Sequence, residues 1–476
     1  MHFMKGDFVM WRHLFKGRIL TYHEVELCWQ ENHLIKEISL AEVFSSLKKV
    51  KGIHIKKKEK VCVRCGTQNP EHFAQLPDCG GEKRFYCVNC IQLGRVTSFQ
   101  SLYFLEEDKR MHNKSSPSLM TWHGRLSSEQ KRACQEVLDQ ITDAQRPHLI
   151  HAVTGAGKTE IIFPIIDYCL QRGGRVCIAS PRVDVCLELG PRIQKAFKTV
   201  PVCVLHGQSK EKYFRTEITV ATTHQLLRFQ LAFDLMVIDE VDAFPYKDDK
   251  SLHFAVSRAV KEHGKLLFLT ATPDKTLEAA IKNGKIIKTT LPARFHGYPL
   301  PEPTLYWIGD WRRAIIERNI KSRLWHLIKI FKCFSGIKLI FLPDISLLIK
   351  LYDWMHQLYP NDKIASVYSA DPARHHKITQ VREGMIDIIL STTILERGVT
   401  FTNCNVLIIG AEDHYFKKSV LIQMSGRVGR SKDFPSGKLI YAHHGISFSM
   451  RQANKEIRDL NKMANRMGLL RGVSNG

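Results

Sequence analysis

A chain of 476 residues is too long for one ordinary core and points to two or three domains. At 44% apolar and 25% charged residues the composition is that of a globular protein, and no uninterrupted apolar run approaches the ~20 residues that span a bilayer. The excess of 70 Lys+Arg over 47 Asp+Glu gives a net charge of +23, which attracts polyanions: nucleic acid first, an anionic membrane surface second.

The first residues, MHFMKGDFVMWRHLFKGRIL, mix Asp7 and scattered basic residues into apolar positions and show no signal-peptide core or cleavage site. The expected location is the cytoplasm, with any membrane contact peripheral at the inner face. Residues 1–60 carry mixed helix and strand hints and end in the basic run KKVKGIHIKKKEK, whose alternative reading is a solvated face.

Residues 61–92 hold five of the 13 cysteines. Cys62-x-x-Cys65 and Cys87-x-x-Cys90 sit in two knuckles, VCVRCG and FYCVNC, whose tight turns can aim two sulfurs each at one centre. Four thiolates suit tetrahedral zinc. Thioredoxin-type redox chemistry needs one pair at a helix start, and no such pattern surrounds either pair. The remaining cysteines are scattered singly, as reduced cytosolic cysteines are, which disfavours a disulfide knot. Cys79 reads as a spare loop cysteine, although it could replace one ligand. A fold staple without functional contact is the alternative for the whole module.

Residues 93–118 read as a linker, polar from about Glu106 to Ser118. From there short apolar strands alternate with helical stretches: HLIHAVT, RVCIASP, VCVLHG, ITVATT, LMVIDE and KLLFLTAT. A proline-rich stretch, Leu291 to Thr304, separates these from IKLIFLP, KIASVYS, MIDIILSTT, NVLIIGA and KLIYAHH. This rhythm predicts two tandem α/β units, each a parallel sheet flanked by helices, over residues 119–298 and 299–476, which the resemblance described below makes RecA-like lobes.

AVTGAGKTE follows the first of these strands and precedes an apolar helix. Small residues at Thr154, Gly155, Ala156 and Gly157 let backbone N–H groups close around phosphate oxygens at a helix N-terminus. Lys158 is placed to reach the β- and γ-phosphates of ATP, and the Thr159 hydroxyl to bind magnesium, with Glu160 beside it. The full loop pattern has glycine first, where Ala152 stands. VIDEVD ends an apolar strand in Asp239-Glu240: the first acid suits magnesium and the second can orient or deprotonate an attacking water. TAT, Thr270 to Thr272, could sense the γ-phosphate. In the second unit QMSGRVGR supplies Gln423, Arg427 and Arg430, whose guanidiniums can face a phosphate and tie hydrolysis to closure. Solvated surface arginines are the alternative. Trp122 could stack on adenine, but a core role is the plainer one.

Taken in order, AVTGAGKT, ASPRVDV, ATTHQLL, IDEVDAF, LTATP, STTILERGVTF and QMSGRVGR resemble a superfamily-two helicase from about residue 120 to 445. That resemblance implies an adenine-reading role for Gln130, strand-tracking roles for Pro181, Arg182, Thr222 and Thr223, and a strand-to-nucleotide link through Thr392, Thr393, Glu396, Arg397 and Gly398. DEVD is neither DEAD nor DEAH, so neither subfamily is assigned from it. The four-cysteine module before the motor, with IDEVDAFP, PRVDVC and RFHGYPLP, is similar to the ComFA family of late-competence DNA-uptake ATPases of Gram-positive bacteria. The resemblance implies ATP, Mg2+ and Zn2+ as cofactors, single-stranded DNA as substrate, and a ComFC-like protein and a ComEC-type channel as partners. A homo-oligomer is compatible with all of this. PriA-like restart helicases, a non-translocating ATP-timed scaffold and an RNA remodeller are the competing readings.

Overall fold

The computed structural model describes residues 10–32, 38–56, 59–79, 82–107, 116–143, 146–207, 209, 213–397 and 401–471. It divides into two compact units: Met1–Ile150, Thr159–Thr270 and Leu277–Thr289 in the first, His151–Lys158, Ala271–Thr276 and Thr290–Gly476 in the second.

The first unit begins with small β elements. β1 (Arg18–Thr21) and β2 (Lys48–Lys51) flank β7 (Ser101–Leu105), both antiparallel to it. The helix Tyr22–Glu31 starts where Thr21 and Glu24 form a reciprocal capping box, and Phe15, Leu20, Val25, Cys28, Val43 and Leu47 close a small core beneath it. β3 (Ile53–Lys56) pairs with β4 (Glu59–Cys62), and β5 (Phe73–Cys79) with β6 (Glu82–Cys87). The basic run is therefore both a solvated face and two strands, β2 and β3, with most of its lysines exposed. Ser101–Leu105 lies within the expected linker yet forms the central strand β7, because the alternation in SLYFL buries Leu102.

The larger sheet contains β8 (His148–Ala152), β9 (Val176–Ser180), β10 (Val202–Leu205), β11 (Ile218–Thr222), β12 (Phe233–Asp239), β13 (Val260–Thr270) and β14 (Ile287–Leu291), in the order β10-β11-β9-β12-β13-β8-β14. β9 to β13 pair in parallel. VCIAS and ITVAT are buried along their whole length, as strands covered on both faces must be.

In the second unit β15 (Thr304–Trp307), β16 (Ile337–Phe341), β17 (Ile364–Val367), β18 (Ile388–Ser391), β19 (Cys404–Ile409) and β20 (Leu439–His443) form a sheet in the order β15-β20-β19-β16-β18-β17, parallel throughout. Its long final helix, Phe448–Arg466, buries Met450, Ala453, Ile457, Leu460 and Ala464 at helical spacing. Asn461 of that helix holds the Leu300 backbone through both its N–H and its carbonyl, at 2.7 and 3.0 Å. The fold is thus α/β, two RecA-like parallel-sheet lobes behind a four-cysteine module. β14 and β15 add edge strands that the apolar pattern does not predict.

Candidate active site

Open α/β sheets bind ligands beyond the carboxyl ends of their strands, and Thr154, Arg182, Thr222, Asp239 and Thr392 each lie at or just after such an end. β8, buried over its whole length, runs into the loop Val153–Gly157, and the helix Lys158–Leu170 starts immediately after it. Gly155 and Gly157 have φ of +83° and +77°, left-handed conformations that glycine adopts without strain, so the loop can turn its N–H groups inward at a helix start. Thr154 and Thr159 are buried and Lys158 is half-buried. The Lys158 ammonium has no hydrogen-bond or ion-pair partner among the described residues. Glu160 instead accepts from Arg192 at 2.6 Å. Gln130 is buried, and its Oε1 caps the Ser127 N–H at the start of the helix Ser128–Asp139.

At the end of β12, Asp239 Oδ1 accepts from the Glu240 N–H at 3.0 Å, and Glu240 has φ +58°, a conformation that non-glycine residues rarely adopt outside constrained sites. Asp242, the last acid of DEVD, is a residue that motif reading passed over. It is buried and accepts from Thr270 Oγ1 at 2.6 Å, tying the acidic strand end to the TAT segment. Arg182 follows β9. Thr222 and Thr223 end β11 and open a short turn, Thr223–Arg228, and both threonine side chains are buried.

In the second unit Gln423 Nε2 donates to Thr272 Oγ1 at 3.3 Å. Gly426 packs so close to Thr154 that a Cβ there would lie 2.1 Å from its Oγ1. Arg427 is buried and Arg430 half-buried. Thr392 and Thr393 follow β18, and Arg397 lies 3.4 Å from Glu396. Gly398 lies outside the described residues.

The four cysteines converge on one point. Cys62 ends β4, Cys87 ends β6, and Cys65 and Cys90 sit on the turns that follow. All four are buried with their Sγ atoms within 4.8 Å of one another; Cys62 and Cys90 are 3.8 Å apart, Cys65 and Cys87 3.5 Å. Four sulfurs about 2.3 Å from a zinc ion make a tetrahedron with edges of about 3.8 Å, so the set fits zinc. The Cys79 side chain lies outside the described residues.

The knuckle also grips the first lobe. Arg64, between Cys62 and Cys65, is fully buried; its Nη2 donates to both Glu24 oxygens at 2.7 and 2.8 Å, and its Nε to Leu227 O at 3.3 Å. Arg228 Nε reaches the same carboxylate at 2.6 Å. From the helix Lys250–Ala259, Arg258 donates to the knuckle carbonyl of Val63 at 2.8 Å and to Leu227 O at 2.8 Å. The turn Thr223–Arg228, which follows the ATT segment, is thereby clamped to the cysteine module.

Burial alone would raise the Glu24 carboxyl, but Arg64 and Arg228 outweigh it and hold it at about 2, below the ordinary 4.5. A carboxyl depressed in the fold stabilises fully above its unfolded value and loses that contribution as pH falls through its folded one. The clamp is therefore expected to weaken between pH 4.5 and 2, by on the order of 3 kcal/mol in all. Amide hydrogen exchange at residues 223–228 should rise across that window, and Glu24→Gln should flatten the dependence; an unchanged profile would show that Glu24 does not fasten the turn.

Family models match the chain in three places: "Competence protein ComFA N-terminal domain" at residues 7–104, "DEAD/DEAH box helicase" at 127–280 and "Helicase conserved C-terminal domain" at 326–432. Competence protein ComFA of Bacillus subtilis (strain 168) is 39% identical over 412 residues, covering 87% of this chain and 88% of its own. Competence protein ComFA of Streptococcus pneumoniae is 41% identical over 435 residues, covering 91% and 96%. Among solved structures, S. cerevisiae Dbp5 bound to RNA and ADP BeF3 aligns with TM-score 0.55 at 16% identity over 71% of this chain and 88% of that one, a likeness of fold alone. Its helicase domains imply ATP hydrolysis, and with relatives this similar along nearly its whole length the chain belongs to the ComFA family of competence proteins.

Proposed function

We propose that this chain is an ATP-driven motor that translocates on single-stranded DNA and draws transforming DNA into the cell. The observation that carries the reading is the ordered set of motor motifs at the carboxyl ends of two RecA-like sheets, in a chain similar to ComFA proteins over about nine-tenths of its length. The Gly155–Thr159 loop and Lys158 hold the phosphates, Thr159 and Asp239 hold magnesium, and Glu240 orients the water. Bound magnesium supplies charge neutralisation at the phosphates. Arg427 and Arg430 act on the same phosphates, so turnover depends on closure and a strand held by both lobes is stepped along. Gln130 reads adenine. Cys62, Cys65, Cys87 and Cys90 hold zinc in a structural role.

The strand is gripped through phosphates, which suits the charge of +23, and through stacked bases. The cysteine module offers rings with cations already on them: Lys60 over Phe85 at 4.2 Å, Arg84 over Phe99 at 4.9 Å and Arg95 over Tyr86 at 5.1 Å. No helix among the described residues is long and apolar enough to cross a membrane, so in this reading a ComEC-type channel supplies the passage and a ComFC-like protein the docking.

ATPase rates measured side by side with single-stranded DNA, duplex DNA and RNA test the proposal. Single-stranded DNA should stimulate most, with affinity falling steeply as salt rises. Equal or greater stimulation by RNA would overturn the DNA assignment.

A further inference from the structure

Arg294 follows β14 and belongs to none of the motor motifs. Its side chain is 2% exposed. Nη1 donates to Gly429 O at 2.6 Å, whereas Nε and Nη2 are buried without a hydrogen-bond partner among the described residues. The side chain lies along the phosphate loop, its Cγ, Cδ and Nε 3.6, 3.7 and 3.7 Å from where a Cβ on Gly155 would sit. The next residue fixes this placement: the Phe295 N–H donates to Gly155 O at 3.1 Å.

Among the described residues no carboxylate is paired with this guanidinium. Burial, then the neighbouring Arg430, pushes the guanidinium down to about 9 from 12.5. A buried charge with two donors unmet destabilises a fold unless an acceptor arrives, and the acceptor that matches a planar fork of N–H groups is a phosphate or carboxylate. The glycines around it allow the approach. Gly429 has φ +66°, and a Cβ on it would meet Arg294 Nη1 at 2.8 Å and Pro435 O at 2.3 Å.

We propose that Arg294 binds the phosphate chain of the nucleotide held by the Gly155–Thr159 loop, and that its bond to Gly429 carries the presence of that phosphate into the SGRVGR segment. The inference rests on reading the loop as a nucleotide site and adds a third arginine to Arg427 and Arg430. Arg294 is a phosphate ligand supplied by the connection between the lobes' sheets, where no helicase motif lies. The Gly429 carbonyl does not depend on it. His296 Nδ1 accepts from the Tyr298 N–H at 3.2 Å, which leaves Nε2 protonated to donate to the same carbonyl at 3.1 Å. Removing Arg294 therefore deletes a charge without orphaning its partner.

The test is Arg294→Gln and Arg294→Lys in the full chain, read by melting midpoint without nucleotide and by ATP affinity. A strut and a phosphate ligand predict opposite signs. As a phosphate ligand, Arg294→Gln should melt at the same temperature or higher without nucleotide, because an uncompensated buried charge is gone. Its ATP affinity should fall roughly ten- to hundredfold, the loss expected for charged hydrogen bonds, and the ATP-induced rise in Tm should shrink with it. Arg294→Lys should recover part of the affinity, since an ammonium brings the charge without the fork. If Arg294→Gln melts lower and binds ATP as the parent does, Arg294 is a strut and the proposal is overturned. If it loses both properties, lysine decides: recovered ATP affinity supports the proposal and unrecovered affinity overturns it. A parent chain that binds no ATP overturns the nucleotide reading itself, which is a separate outcome.

Discussion

Replacing Lys158 with alanine is expected to abolish ATP turnover and to leave the fold intact. The first half follows from placement. Lys158 opens the helix after a loop whose Gly155 and Gly157 turn left-handed, so its ammonium stands where backbone N–H groups gather at a helix start. Removing a cation aimed at charge that grows in the transition state costs at least about a hundredfold in kcat. The second half follows from what Lys158 does not do. It is half-buried and carries no hydrogen bond or ion pair among the described residues, so the fold loses little when it goes. Its neighbour Glu160, paired with Arg192, would be the wrong residue for this comparison, because changing it also unties two helices. ATPase assays alongside a melting curve check the claim. Turnover like the parent's, with the fold intact, removes the phosphate-site assignment.

The second large effect is expected at the cysteines. Replacing Cys62 and Cys65 with serine should lose the metal and weaken single-stranded DNA binding by about tenfold, some 1.4 kcal/mol, while basal ATP hydrolysis stays near the parent rate. The route runs through Arg64. The two cysteines fix the knuckle whose Arg64 holds Leu227 O and Glu24, and whose Val63 carbonyl is held by Arg258. Those contacts seat the turn Thr223–Arg228, next to the threonines proposed to follow the strand. The phosphate loop lies on a different strand end and owes nothing to this clamp. The cysteines also share a continuous apolar core with Leu226, Leu227, Phe229, Leu252 and Val256, so the serine variant could lose more than its metal. Arg64→Met separates the effects: the cluster stays whole, Glu24 keeps Arg228, and DNA binding should still fall. Unchanged DNA affinity in both folded variants would reduce the module to a staple.

Much of the motor was legible in the sequence because its signals are local. Buried strands read as apolar runs, and VCIAS, ITVAT and LMVID need no distant partner to be recognised. The two C-x-x-C pairs announce their convergence by chemistry alone, and the sulfurs do converge. What was not legible depends on long-range pairing or on polar edge strands. IKTTL and TLYW, at β14 and β15, are partly exposed and carry no clean alternation. The clamp joins Glu24 to Arg64 and Val63 to Arg258, pairs far apart in the chain that no spacing rule connects. Asp242 was hidden by the attention that Asp239 and Glu240 draw, although its place in the same motif was the available clue. Arg294 opens RFHGYPLP, a stretch that carries the family resemblance but lies in a proline-rich connection and holds no motor motif; its burial beside Gly155 is what singles it out for a role.

In the function proposed above, this chain moves along DNA rather than holding it. A strand-bound block on single-stranded DNA, a tightly bound protein or an annealed oligonucleotide, measures that directly. The chain is expected to displace the block when ATP is supplied, and Lys158→Ala is expected to leave it in place. If the parent chain hydrolyses ATP on single-stranded DNA and the block stays in place, the protein is an ATP-timed clamp and the translocase reading is wrong.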